Sequence, residues 1–130
     1  MKIRIYFALL FFIFAQMTAT AQVDRIEPPS WWAGMKHNTL QLMIYGKQLA
    51  GAEVKIVYPG ITIRSVTSPE NPNYLFVDLL LSDEVAPGTF NIELRKENES
   101  LNHAYELHSR EDGSEEREGF NSSDVVYLAM

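Results

Sequence analysis

The sequence predicts an all-β domain of about seven strands, and three observations support this prediction. Apolar and polar residues alternate in several short stretches, which is typical of strands with one buried face. Turn dipeptides such as Pro59-Gly60 and Pro87-Gly88 separate these stretches at regular intervals. No stretch keeps the period of about 3.6 residues that predicts a helix. With 130 residues, the chain has room for one such domain.

Residues 1–21 are predicted to be a secretory signal peptide. Lys2 and Arg4 form a basic head, an apolar run extends to Phe14, and Ala19-Thr20-Ala21 has the small-x-small pattern of a cleavage site. The apolar run is short for a transmembrane helix, and an uncleaved N-terminal anchor is the alternative interpretation. We therefore expect export to the periplasm or the cell surface of a Gram-negative bacterium.

The charge of the mature chain limits its partners. Removing residues 1–21 takes away two of the 11 basic residues and none of the 17 acidic ones, which leaves 9 against 17 and a net charge of −8. Such a surface repels nucleic acid phosphates and anionic membranes but accepts neutral ligands such as sugars. Cysteine is absent, so an exported domain must be stable without disulfides.

The elements begin with Val23–Glu27, a strand that Pro28 and Pro29 end because neither proline donates a ladder hydrogen bond. Ser30–Thr39 is predicted to be a loop, and Leu40–Tyr45 the second strand. The later predicted strands are Val54–Tyr58, Ile61–Val66, Tyr74–Leu81, Phe90–Leu94 and His103–Leu107. Since Tyr74–Leu81 is apolar except at Asp78, we expect it to be central in its sheet.

These elements predict an immunoglobulin-like β-sandwich of the early-set type over residues 22–108. The composition changes after that point. Residues 109–119 hold many charged residues and no large apolar one, which predicts a solvated acidic linker. Residues 120–130 end in the apolar stretch Val125–Met130, which has no partner sheet in this sequence. We interpret it as the first strand of a truncated parallel barrel.

The residues that carry catalytic or metal chemistry elsewhere are not clustered. The three histidines are His37, His103 and His108. They lack ligand spacing with one another or with acidic residues, which argues against a zinc site. The acidic residues lie mainly in turns and in the linker, and Glu27, Asp78 and Glu93 have no visible partner in the sequence. We therefore expect no catalytic residue, no metal and no cofactor in this chain.

Trp31 and Trp32 are the main candidates for a binding site. The apolar C–H face of a sugar stacks on an indole ring, and polar residues 36–38 lie nearby to bind its hydroxyls. Adjacent residues of an extended segment point to opposite sides, so one tryptophan is expected to pack inward and the other to be exposed or to contact another domain. Domain packing, glycan contact and core filling all remain open. Met35 and Tyr74 complete the candidates.

Several stretches resemble a known family. Ile26–Met35, with the sequence IEPPSWWAGM, resembles the start of the N-terminal domain of Bacteroides-type neopullulanases and cyclomaltodextrinases. These are α-amylase-superfamily enzymes of glycoside hydrolase family 13. The resemblance continues through Leu40–Gly46 and Asn71–Phe76, and Gly119–Leu128 resembles the segment that leads into the first barrel strand.

The resemblance implies an N-terminal sandwich followed by a TIM barrel that carries an Asp nucleophile, a Glu acid/base and a second Asp. The Pro-Asp-Arg-Phe motif expected after that first barrel strand is absent, because the sequence ends at Met130, and no catalytic residue can be assigned by resemblance. The chain is thus expected to be a non-catalytic accessory module of a secreted α-glucan-degrading enzyme. Its implied partners are the barrel of the parent enzyme, α-glucan or maltooligosaccharide, and a second copy in a homodimer.

Two alternatives remain open at this stage. The first is a free-standing starch- or maltooligosaccharide-binding module with its sugar site at Trp31 or Trp32. The second is a truncated product without independent function, in which Val125–Met130 promotes association because an unpaired apolar strand templates aggregation.

Overall fold

The computed structural model describes residues 22–117 and 119, and these residues form eight strands and one short 3₁₀ helix, Ser114–Glu116. The strands, in chain order, are β1 (Gln22–Glu27), β2 (Ser30–Trp32), β3 (Thr39–Lys47), β4 (Glu53–Ile56), β5 (Ile61–Thr67), β6 (Tyr74–Leu81), β7 (Gly88–Lys96) and β8 (Glu99–His108). Sheet 1 has the order β1-β3-β6-β5 and sheet 2 the order β2-β8-β7-β4.

The core lies between the two sheets. Alternate residues of β3, β6 and β7 are buried, as in Leu42 and Ile44 of β3 and in Ile92 and Leu94 of β7. These side chains form one apolar cluster to which both sheets contribute, and the described residues bury no polar or charged side chain in it. The prediction of an all-β sandwich is therefore confirmed.

Strand β6 is central, as its apolar sequence predicted. It pairs with β3 on one side and with β5 on the other, both antiparallel. Leu75, Val77 and Leu79 face the core and are fully buried. The alternate residues face outward, so β6 brings apolar side chains to both faces of sheet 1.

The prediction of a loop over Ser30–Thr39 was wrong at both ends. Ser30–Trp32 forms β2, which pairs in parallel with β8, and Thr39 already belongs to β3. Pro28 and Pro29 end the pairing of β1 with sheet 1, and the chain bends at these two residues and continues as a strand of sheet 2. The sequence does not reveal this strand, because its partner β8 is next to it in the folded sheet but lies at the other end of the domain's sequence. The sandwich has eight strands for this reason, against about seven predicted.

The other boundaries differ by a few residues. Tyr58 lies outside β4, and β8 begins at Glu99 rather than at His103. The predicted signal peptide and residues 120–130 fall outside the described residues, so those assignments, the domain boundaries and the immunoglobulin-like topology remain predictions. Within the part that the structure describes, no helix has the length and apolar character needed to cross a membrane.

Candidate functional site

The two tryptophans of β2 differ in burial. Trp31 is paired with Leu107 and packs against the core, whereas Trp32 is paired with His108 and is 43% exposed. The alternation of side chains along an extended segment explains this difference. The prediction that one tryptophan packs inward while the other faces outward is thus met by Trp31 and Trp32 respectively.

Aromatic and backbone contacts hold Trp32 in place. Its ring lies edge-on to that of Trp31, with centroids 5.8 Å apart and planes inclined at 61°. The imidazole of His108 is 6.0 Å away on the neighbouring strand. The backbone N–H of Ala33 donates to the carbonyl oxygen of His108 at 3.0 Å, which extends the pairing of β2 and β8. Trp32 therefore stands on a supported strand rather than on a loop.

A shallow depression of about 320 Å³ opens beside Trp32. We call its lining the Trp32 patch, which consists of Trp32, Met35, Arg110, Glu111, Ser114 and Arg117. The guanidinium of Arg110 donates to the carbonyl oxygen of Gly34 at 3.0 Å, and Arg117 forms an ion pair with Glu111. The bond from Arg110 holds the segment that follows β8 against the turn that follows β2, and the Arg117–Glu111 pair lies within that segment.

Two polar atoms in this region are buried without a hydrogen-bond partner among the described residues, namely Nε1 of Trp31 and Oγ of Ser114. Such orphaned groups are rare in native proteins. The patch also combines Trp, Met and Arg side chains, which are enriched at protein interfaces. Its composition and its unpaired serine both favour a surface that receives a partner.

Tyr74 is not part of the Trp32 patch. It lies on the outer face of sheet 1, where its ring packs on Tyr45 with centroids 5.0 Å apart and planes inclined at 47°. The guanidinium of Arg25 lies 5.6 Å from the centre of the Tyr45 ring. The structure therefore groups Trp31, Trp32 and Met35 in one region and places Tyr74 in another.

A polar cluster lies further along the same face of sheet 1. Asp78 accepts hydrogen bonds from Nε2 of Gln41 at 2.8 Å and from Oγ of Ser65 at 2.5 Å. These two bonds, with Ser65 the stronger cause, and the positive charge of Arg64 hold the pKa of Asp78 below its usual range. Asp78 therefore has partners that the sequence did not reveal. In the sequence, the only indication of this surface was the alternation of β3, which predicted that Gln41, Met43 and Tyr45 face away from the core.

The carboxylates that the sequence singled out are dispersed. Glu93 lies on sheet 2 and accepts bonds from Nε of Arg95 at 2.7 Å and from the Ser100 hydroxyl at 2.9 Å, with Arg95 the main cause of its lowered pKa. Asp78 lies on the other sheet, so the two cannot form the pair about 5–5.5 Å apart that retaining glycoside hydrolysis needs. Residues 22–117 and 119 contain no group of three His, Asp or Glu side chains placed to hold a metal.

The structure defines an eight-stranded β-sandwich with an exposed tryptophan beside the segment that follows β8. Comparison with protein families identifies the class of domain. Residues 25–111 match the model of the family described as cyclomaltodextrinase, N-terminal. The chain belongs to this family, as the sequence resemblance predicted. Members of the family are the non-catalytic N-terminal part of cyclomaltodextrinase-type glycoside hydrolases.

Proposed function

We propose that this chain is the N-terminal accessory module of a secreted α-glucan-degrading enzyme of the neopullulanase or cyclomaltodextrinase type, and that its Trp32 patch packs against the catalytic barrel. One observation carries the proposal. The exposed Trp32 and the half-buried Met35 lie beside the segment by which the chain leaves the sandwich after β8. A domain that follows this segment starts next to this surface.

The chemistry of the patch suits a domain contact. Burying Trp32 and Met35 against a neighbour removes apolar area from water, which is the main favourable contribution to such contacts. Ser114 gains a partner for its orphaned hydroxyl, while the Arg117–Glu111 pair forms the polar rim. A contact of this kind fixes the orientation of the barrel. It thereby helps to shape the substrate cleft or to place the module for dimerisation.

The test uses the complete polypeptide encoded by the reading frame, with the barrel included. We expect Trp32→Ala and Met35→Ala to separate a single unfolding transition into two and to lower kcat/KM for cyclodextrins. Val57→Ala is the matched control, because Val57 is apolar and 78% exposed but lies outside the Trp32 patch. Unchanged unfolding and kinetics in Trp32→Ala contradict the proposed contact.

Two further results decide whether the chain is an accessory module at all. Purified residues 22–130 are expected to show no hydrolysis of maltodextrin, pullulan or cyclodextrin, and detectable hydrolysis overturns the proposal. A reading frame that closes without a barrel also overturns it, and then favours the free-standing sugar-binding module as the function.

The exposure of Trp32 is the observation that favours this second function. A ring that is 43% exposed on a strand can stack on a sugar. In that case maltooligosaccharides shift the tryptophan fluorescence of the isolated chain, and Trp32→Ala abolishes the response. No response at millimolar sugar excludes a glycan site at Trp32.

A further inference from the structure

The outer face of sheet 1 is apolar along its middle, although the outer face of an antiparallel sheet is commonly solvated and polar. Met43 of β3 is paired with Phe76 of β6, and Tyr45 is paired with Tyr74. All four side chains are only half-buried. The sandwich core does not need them, because β3 and β6 already bury their alternate residues in it.

One end of this face is aromatic. The rings of Tyr45 and Tyr74 pack together, and Arg25 covers one side of Tyr45. Tyr74 is therefore the ring better placed to accept a further stacked group. An aromatic ring of this kind binds the C–H face of a flat polar ligand, while its hydroxyl and a nearby guanidinium supply hydrogen bonds.

The other end is a polar depression of about 460 Å³, within the size range of small-ligand sites of roughly 300–1,000 Å³. Its polar side chains are Thr39, Gln41, Arg64, Ser65 and Asp78. Gln41 and Ser65 each bond one oxygen of the Asp78 carboxylate, and each oxygen keeps capacity for another donor. The cluster is thus ordered by its internal bonds and able to receive hydroxyl groups.

The distance between the aromatic end and the polar end of this face determines how long a ligand must be to contact both. Tyr74 and Asp78 lie on the same face of β6, four residues apart, which corresponds to about 13 Å along a strand. A ligand that contacts both must be elongated, with apolar faces for Tyr74 and Phe76 and hydroxyls for the cluster. A lipid leaves the cluster unsatisfied. Arg64 offsets the charge of Asp78 locally, and the net negative charge of the chain disfavours an anionic ligand.

We infer that the outer face of sheet 1 is a binding site for a short neutral oligosaccharide, with Tyr74 as the stacking surface and the Gln41–Ser65–Asp78 cluster as the hydrogen-bonding end. Its assignment to α-glucan chains rests on the proposed function. This site is separate from the Trp32 patch, since the two lie on different sheets. The module thereby holds substrate chains on one sheet while the other contacts the barrel.

The test is a titration of the purified mature chain with maltohexaose, followed by amide chemical shifts and by calorimetry. We expect shifts confined to β3, β5 and β6, and a loss of affinity of at least tenfold in Tyr74→Ala and in Asp78→Asn. Tyr74→Phe keeps the stacking ring and should retain most of the affinity. Thr89→Ala, an exposed position on sheet 2, is the matched control and should bind normally. Far-UV circular dichroism checks that each variant is folded.

Three outcomes overturn the site. These are no shift on sheet 1 at millimolar sugar, shifts confined to the surroundings of Trp32, and concentration-dependent shifts without sugar, which identify the face as a contact between two copies. Equal binding of cellohexaose and maltohexaose supports the neutral-oligosaccharide site but removes its link to α-glucan. Because the Trp32→Ala experiments test the proposed function on the other sheet, either proposal can fail without the other.

Discussion

Trp31 and Trp32 are consecutive in the sequence and their rings are in edge-to-face contact, with centroids 5.8 Å apart, yet they differ in burial. Trp31 packs against the core, and Trp32 lines the surface patch. The contact between the two rings therefore joins the packing of the sandwich to its candidate interface, and both rings belong to β2, an edge strand of sheet 2.

The two tryptophans should differ in their contribution to stability. We expect Trp31→Ala to lower the free energy of unfolding by about 2–3 kcal/mol, less than the roughly 3–5 kcal/mol of a fully buried ring, because Trp31 is only partly buried. Trp32→Ala should cost less than about 1 kcal/mol, mainly through its lost aromatic contacts. Urea unfolding of the isolated module measures both. Equal costs would contradict the difference in burial between the two rings.

Gly46 should not tolerate a side chain. A Cβ atom at this position would lie 1.8 Å from the backbone oxygen of Gln22, because β1 and β3 approach closely where Val23 pairs with Gly46. We expect Gly46→Ala to cost about 1–3 kcal/mol, as overpacking does, and to loosen β1. Gly119→Ala is the control, since nothing lies within 4 Å of its Cβ. Hydrogen exchange of the β1 amides reports the local effect, and unchanged protection would argue against the close approach.

Asp78 should make the stability of sheet 1 dependent on pH in the acid range. Its pKa in the folded protein lies below the ordinary value of 3.8, mainly because Ser65 and then Gln41 donate to the carboxylate. Its contribution is therefore fully present above that ordinary value and is lost as the pH falls through the folded pKa. We expect Asp78→Asn to flatten this part of the stability profile.

A second variant separates the causes of this shift. Ser65→Ala removes the donor with the largest effect, so the pKa of Asp78 should rise toward its ordinary value. Carboxyl chemical shifts followed through an acid titration measure the pKa in both proteins. Identical titration curves would show that the hydrogen bond from Ser65 does not stabilise the ionised form.

The buried Tyr105 and the partly buried Tyr58 should respond differently to loss of their hydroxyl groups. The Tyr105 hydroxyl is buried without a partner among the residues that the structure describes, and burial raises its pKa. Tyr105→Phe is therefore expected to be neutral or to stabilise the fold by about 1 kcal/mol. The Tyr58 hydroxyl donates to the carbonyl oxygen of Ala86 at 3.1 Å, so Tyr58→Phe should cost about 0.5–1.5 kcal/mol. Thermal unfolding of the two variants compares them, and a destabilised Tyr105→Phe would reveal a missing partner.

Much of the fold was predictable because side-chain alternation is a local property. In β3, Leu40, Leu42 and Ile44 face the same side whatever the strand pairs with, so their burial follows from the sequence alone. The apolar run of β6 likewise predicted a central strand. The string around Trp31 and Trp32 predicted the family, which the match over residues 25–111 then established.

The candidate sites depended on contacts between residues far apart in the sequence. Sequence patterns identified Trp31 and Trp32, but only the parallel pairing of β2 with β8 determined that Trp32 is the exposed ring. Asp78 had no visible partner, because Gln41 and Ser65 lie on neighbouring strands of the folded sheet. The sequence by itself determined the strands other than β2, the buried faces of strands such as β3 and β6, and the family. Tertiary structure decided which outward residues meet, since strand order and register arise from packing across the whole domain.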